Sequence, residues 1–327
     1  MMNAIVNTAP GKLEMQQLPM PTPGPGDVRI RTLACGVCAT DLEMIAGWDR
    51  TGFPAIPGHE WCGRIDKLGS SVDASLKGCT VVGDNILLDG GEVGFEYPGG
   101  YASHFITRAE NLIVLPDTVD PALSTLIEPL AVCLRGFNKV KEVFLSDTAA
   151  DVLIFGDGPI GLIQIMLARH AGAKSVTVVG GREARLALSK VAGADVLINY
   201  HDVDELSGGI RNAAGKDKWP LIIESSGNTN ALKAAMALGA VDARILILGD
   251  YSSGQADFKW NQLLLGELHL TGSNTGSGAW AEAGRMSTEM NFTSLVTHRF
   301  PAADFENAIK AVQDRTSGAV KVVLEWE

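Results

Sequence analysis

Residues 151–180 read DVLIFGDGPIGLIQIMLARHAGAKSVTVVG, and the fold turns on how this stretch is read. It opens on an apolar run of strand length, DVLIF. Three glycines follow, Gly156, Gly158 and Gly161, in the spacing GxGxxG. A long apolar segment of helical length comes next, and then SVTVVG, a second run rich in β-branched residues. The glycine spacing alone is weak evidence; the strand before it and the helix after it give it weight. Gly156 permits a tight turn, Gly158 lets backbone approach a pyrophosphate, and Gly161 lets the helix pack closely on the strand. Pro159 and Ile160 complete the turn. The helix start presents unpaired N–H groups and a partial positive charge to phosphates. Gly156, Gly158, Pro159, Ile160 and Gly161 are therefore expected to seat a dinucleotide. The competing reading is a purely structural glycine turn.

Downstream the alternation continues. RLALSKVAGADVLINY, WPLIIESSG, NALKAAMALGA and RILILGD repeat helix and buried apolar strand as far as LHLTGS at 268–273. That is the pattern of a doubly wound parallel sheet in an α/β protein. Upstream, residues 1–120 differ: DVRIRTLACG, WCGRIDKLG and GCTVVGDNILLDGG are short alternating runs broken by Gly and Pro, as in an irregular β-rich barrel. From 121, PALSTLIEPLAVCLRGFNKV has helical spacing. The last fifty residues end in AVKVVLEWE, a strand, and are too few to fold alone, so they are expected to rejoin the first domain. The domains expected are 1–120 with 274–327, and 121–273.

The 327 residues are 46% hydrophobic and 20% charged, which suits a globular chain of roughly two domains. A formal net charge of −11 without a long basic run argues against nucleic acid and anionic membrane as partners. No apolar run has the length of a spanning helix. The start, MMNAIVNTAPGKLE, lacks the charged and apolar regions of a secretory signal, so a cytoplasmic location is expected. Five cysteines, an odd and sparse set, do not make a disulfide framework.

The end of the second strand bears on cofactor choice. An NAD site usually places an acid there, about 20 residues past the glycines, on the ribose 2′-hydroxyl. Gly180 and Gly181 stand at that point, followed by Arg182 and Arg185. A missing carboxylate removes repulsion against a 2′-phosphate, and a guanidinium pairs with one. NADP(H) is expected ahead of NAD(H). The alternative for Arg185 is a solvated helix residue.

Residues 34–63, ACGVCATDLEMIAGWDRTGFPAIPGHEWCG, gather metal-ligand chemistry. Catalytic zinc takes about three N, S or O ligands and keeps an open position. Cys38 offers a thiolate and His59 an imidazole, and Glu60 beside His59 can enter the shell. The competing readings are a core thiol and a buried structural histidine. Cys35 forms a CxxC with Cys38, but no second CxxC completes a zinc knuckle.

CGVCATDL, the Gly58-His59-Glu60 triplet, EPLAV at 128–132 and GDGPIGL occur in the order and spacing of the medium-chain zinc alcohol and polyol dehydrogenases. The chain resembles that family over nearly its whole length, most of all the sorbitol, threonine and glucose dehydrogenase branch. The resemblance implies a GroES-like catalytic domain joined to a Rossmann domain, and hydride transfer between a small alcohol or carbonyl substrate and a nicotinamide cofactor. It maps a third zinc ligand to Glu128, so Glu60 and Glu128 both remain candidates. It makes Thr40 a proton-relay hydroxyl and Asp41 the carboxylate that orients the ligand histidine; an N-cap is the other reading of Asp41. Glu43 stands where some relatives end the relay in a histidine. Trp48 falls at the substrate pocket or in ordinary packing. The family's structural zinc lobe, with four close cysteines, would lie between VVGDNI and GGYASHF, where this chain has only LLDGGEVGFEYP. One catalytic zinc and no structural zinc is the expectation, in a homodimer or homotetramer. A zinc-independent quinone or enoyl reductase and a non-catalytic NADPH-binding protein are the competing functions.

Overall fold

Along residues 27–34, Val28, Ile30, Thr32 and Ala34 are buried while the residues between them are half-buried, the period-2 pattern of a strand with one face on a core, and from Cys35 to Val37 both faces are buried. In the computed structural model, which describes residues 1–50, 52–144 and 150–327, this strand organises the first part of the chain. The order is β1 (Met2–Ala9), β2 (Lys12–Leu18), β3 (Asp27–Val37), α1 (Ala39–Ala46), β4 (Glu60–Leu68), β5 (Thr80–Gly83), β6 (His104–Arg108), β7 (Leu112–Leu115), α2 (Pro121–Ser124) and α3 (Ile127–Phe137). Next come β8 (Asp151–Phe155), α4 (Pro159–His170), β9 (Ser175–Gly180), α5 (Glu183–Val191), β10 (Val196–Asn199), α6 (Leu206–Ala214), β11 (Trp219–Glu224), α7 (Thr229–Leu238), β12 (Gly239–Ile247), α8 (Trp260–Gly266) and β13 (His269–Gly272). The chain ends with α9 (Trp280–Met286), β14 (Val296–Pro301), α10 (Phe305–Gln313) and β15 (Lys321–Glu325).

Two compact units result, Met1–Pro129 with Trp280–Glu327, and Leu130–Ala279. In the first, β1 and β2 form a hairpin, and seven strands form a mixed sheet in the order β14-β15-β3-β4-β5-β7 with β6 also paired to β3. The β-rich first domain is thus a seven-stranded mixed sheet and a hairpin bridged to the segment before β6 at Ala4–Ala102 and to Ala55 at Asn7. β15 enters between β14 and β3, antiparallel to β3, with Val322 opposite Val37 and Leu324 opposite Cys35. Ile30, Trp61, Ile65, Tyr101, Phe105, Val322 and Leu324 fill its core.

The second unit is a six-stranded sheet, β10-β9-β8-β11-β12-β13, parallel throughout. This is the 3-2-1-4-5-6 order of the Rossmann fold, whose strand order reverses between its first and fourth strands, here β8 and β11. Val152 to Phe155 are at most 1% exposed, because helices cover both faces of such a sheet.

The units divide at 129/130 and 279/280, not at the 120/121 and 273/274 read from composition. Packing explains both shifts. Ala122 of α2 sits against Ala34 and Val323, while a side chain on Gly276 would meet Ala131 at 2.8 Å. No helix among the described residues is long and apolar enough to cross a membrane.

Candidate active site

β3 ends at Val37, and Cys38 caps the N-terminus of α1. Asp41, three residues on and fully buried, accepts from the Cys38 N–H at 2.8 Å through Oδ2. Tyr101 donates its hydroxyl to the same oxygen at 3.4 Å. The other oxygen, Oδ1, lies 3.3 Å from His59 Nδ1. The N-cap of α1 is Cys38 and not Asp41, which sits at the third helical position as the capping-box partner of Cys38 and also faces His59. Thr40 places Oγ1 3.6 Å from Cys38 Sγ. Glu43 is exposed on the same helix.

His59 and Glu60 arrive at the start of β4 across a tight approach. Gly58 has φ +102°, and a Cβ there would stand 2.6 Å from the Tyr101 ring and 2.8 Å from Cys35 Sγ, so only glycine fits. Asn85 donates to the His59 carbonyl at 2.7 Å and accepts from Trp61 Nε1 at 2.8 Å. Burial alone pulls the His59 imidazole pKa down. The Asp41 charge outweighs it, with Cys38 adding to the effect, and the ring is raised well above its usual value. With Nδ1 facing Asp41, Nε2 is left for a metal, the arrangement by which carboxylates orient histidine ligands.

Cys38, His59 and Glu60 bring one sulfur, one nitrogen and one oxygen within 4.8 Å of one another, the one such group of three or more among the described residues. Thiolate, imidazole and carboxylate are zinc donors, so the residues fit that ion. Glu128, in the first turn of α3, lies outside this group. Burial first, and then the charges of Glu60 and Glu92, push its carboxyl up to about 7, against the opposing pull of His59 and Lys321.

Lys321 escaped the sequence reading. At the start of β15, 2% exposed, it donates to Glu60 Oε1 at 2.6 Å and Oε2 at 2.5 Å. Gly36, opposite Glu60 in the β3–β4 register, makes the room: a Cβ there would meet Glu60 Oε2 at 2.2 Å. The available signal was a lone lysine in an apolar strand, which needs a charged partner.

Phe95 was also missed. Its ring lies 4.9 Å from that of His59, and the Arg50 guanidinium sits over the same ring, 4.5 Å from its centroid, held by Glu92 and Glu96. Trp48 meets Phe95 edge-on at 6.4 Å. The short segment 87–98 thus covers His59 with an aromatic ring braced by ion pairs. The remaining thiols lie outside the group of Cys38, His59 and Glu60: Cys35 and Cys62 are fully buried, the latter pushed up to about 12 chiefly by burial, Cys79 bonds the Ser75 carbonyl, and Cys133 is buried in the second unit.

In that second unit, Gly156 has φ +115°, and a Cβ on Gly161 would lie 2.0 Å from the Gly156 carbonyl oxygen. Gly158 caps α4, with Pro159 in its first turn and Ile160 next. A Cβ on Gly158 would meet only Arg185 Nη1, at 3.8 Å, so the backbone stays open to a ligand and a guanidinium reaches the turn. Gly180 ends β9, and Arg182 caps α5. Asp157, inside the glycine turn, accepts from Gly181 N–H at 2.9 Å and Arg182 N–H at 3.0 Å through Oδ2. Side chains on Gly180 and Gly181 would collide with Asp157 and with the Tyr200 ring. The glycine pair therefore has a packing reason of its own for carrying no side chain.

Residues 24–117 match the alcohol dehydrogenase GroES-like domain, and residues 159–290 match the zinc-binding dehydrogenase family. This chain belongs to the zinc-dependent medium-chain alcohol dehydrogenases, and it is an NAD(P)-dependent alcohol dehydrogenase. It is 28% identical to an L-threonine 3-dehydrogenase of Saccharopolyspora erythraea, over 99% of each chain. Two solved structures share the fold at 24% identity over 99% of each chain. One is an alcohol dehydrogenase of Escherichia coli CFT073 in complex with NADH, TM-score 0.91. The other is a chain of Sinorhizobium meliloti 1021 bound to NADP, TM-score 0.89.

Proposed function

We propose that the chain oxidises a secondary alcohol of the polyol or sugar kind with NADP+, in preference to NAD+, and reduces the matching carbonyl in reverse. The convergence of Cys38, His59 and Glu60 within 4.8 Å carries this reading. Cys38 and His59 would hold one zinc ion, and Glu60, inside the converged set, is assigned as third donor ahead of Glu128. When bound, zinc supplies a Lewis acid for the alcohol oxygen and the nicotinamide ring accepts the hydride. Asp41 fixes the His59 ring. The Thr40 hydroxyl, beside Cys38 Sγ, receives the alcohol proton. Phe95 and Trp48 keep water from the ligand face. Arg182 and Arg185, with no carboxylate contributed by the end of β9, support the 2′-phosphorylated cofactor. The cysteine-free interval 84–99 supports one zinc per chain and no structural zinc. Exposed Trp260, Leu264 and Leu265 on α8, which leads into the edge strand β13, support self-association as a homodimer or homotetramer.

The test is metal analysis with a panel of polyols, sugars and aliphatic alcohols, each run with both cofactors and followed by reduced-nicotinamide absorbance. One zinc per chain and turnover of secondary polyols with NADP+ is the expected result. Bound cofactor with neither zinc nor turnover would overturn the reading.

A further inference from the structure

We infer that Asp157 sets the balance between the 2′-hydroxyl and 2′-phosphate forms of the cofactor, standing in from the glycine turn for the acid that β9 lacks. The inference rests on the reading that this turn and the end of β9 seat the adenosine half of a nicotinamide dinucleotide. In that arrangement the ribose 2′ position lies at the C-terminal end of the second strand. β9 ends there in Gly180, and the Asp157 carboxylate occupies the space in front of it. A Cβ on Gly180 would lie 2.5 Å from Asp157 Oδ2 and 2.7 Å from its Cβ. An acid at position 180 and the present Asp157 exclude each other. The carboxylate reaches the end of β9 from the turn after β8.

Asp157 is held there by two backbone donors, Gly181 N–H at 2.9 Å and Arg182 N–H at 3.0 Å, both on Oδ2. Its other oxygen, Oδ1, is not engaged by these two donors. A carboxylate so placed accepts from a ribose hydroxyl and repels a phosphate dianion. It also covers the two N–H groups that a 2′-phosphate would otherwise use. Arg185, whose Nη1 lies 3.8 Å from the Cβ position of Gly158, acts in the opposite direction, so the carboxylate is set against a guanidinium at the same turn. Asp157 moves the ratio of affinities toward NAD(H), whichever cofactor the wild-type protein prefers.

The experiment measures binding of 5′-AMP and of adenosine 2′,5′-bisphosphate by calorimetry to the wild type, Asp157→Asn and Asp157→Ala, with thermal melting as a check on folding. Asp157→Asn keeps an oxygen for the two N–H donors and removes only the charge. The ratio of affinities is expected to shift toward the bisphosphate by about tenfold or more, the size of losing a charged acceptor at one hydroxyl. Asp157→Ala is expected to shift it the same way. An unchanged ratio, with both ligands weakened equally, or a shift toward AMP would overturn the inference and leave the dinucleotide reading standing. Failure of the folded wild type to bind either ligand would overturn both.

Discussion

Lys321 and Glu60, 261 residues apart, meet in a buried ion pair with both carboxylate oxygens within 2.6 Å of Nζ and each side chain at most 3% exposed. Burial alone would lower the lysine pKa. The Glu60 charge, then Cys38 and the hydrogen bond that the lysine donates to Glu60, hold it above its usual value instead. The lysine occupies the same carboxylate that a metal would use. In the metal-free protein, Lys321→Met leaves Glu60 buried without a cation, and is expected to destabilise it by about 3–5 kcal/mol in urea unfolding with a chelator present. Adding Glu60→Gln should recover most of that loss, because no buried charge then remains unpaired. Additive effects of the two substitutions would show that the pair is not coupled.

Cys38→Ser and Asp41→Asn separate the ligand from its orienting partner. Cys38→Ser is expected to lose zinc and turnover together while binding cofactor normally, since the nucleotide turn belongs to the other unit. Asp41→Asn keeps an acceptor for the Cys38 N–H but removes the charge facing His59 Nδ1. A fall of about 10–100-fold in zinc affinity is expected. Metal analysis after dialysis against a chelator series reads both, and zinc retention in Cys38→Ser would remove this residue from the ligand set.

Thr40→Val tests the proton acceptor. The methyl group replaces the hydroxyl beside Cys38 Sγ with little change in volume. We expect kcat to fall by about a hundredfold or more, as for loss of a general acid–base group, with zinc content and cofactor affinity unchanged. Equal KM and kcat values in the variant and the wild type would exclude Thr40 from proton transfer.

Arg182→Ala and Arg185→Ala address cofactor choice from the cationic side. Each is expected to lower kcat/KM with NADP+ by about tenfold and to leave the value with NAD+ within a factor of about two, because a guanidinium paired to a phosphate is worth roughly 1.5–3 kcal/mol. Equal losses with both cofactors would show that the arginines serve the turn's structure.

Much of the site was legible because it is encoded by neighbours in sequence. The spacing of Gly156, Gly158 and Gly161 dictates a turn whose backbone admits no side chain, and an apolar strand and helix on either side complete the unit. Gly58-His59-Glu60 likewise places a histidine and a carboxylate at one strand start, and Asp41 lies one helical turn from Cys38. In each case a few covalent links limit where the side chains can go.

Other relationships were decided only by tertiary structure. Glu60 meets Lys321 because β15 slides between β14 and β3 in one register, with Gly36 leaving the space; a shift of one residue would turn the lysine to the opposite face. Phe95 covers His59 because a loop, not a periodic element, carries it there. Asp157 meets Gly180 because parallel β8 and β9 end side by side, and nothing in the letters GDG and VVGG states that adjacency. Local backbone preference is written in short spacings. Contact across a sheet depends on register and on the packing of the whole core, and these are properties of the folded chain.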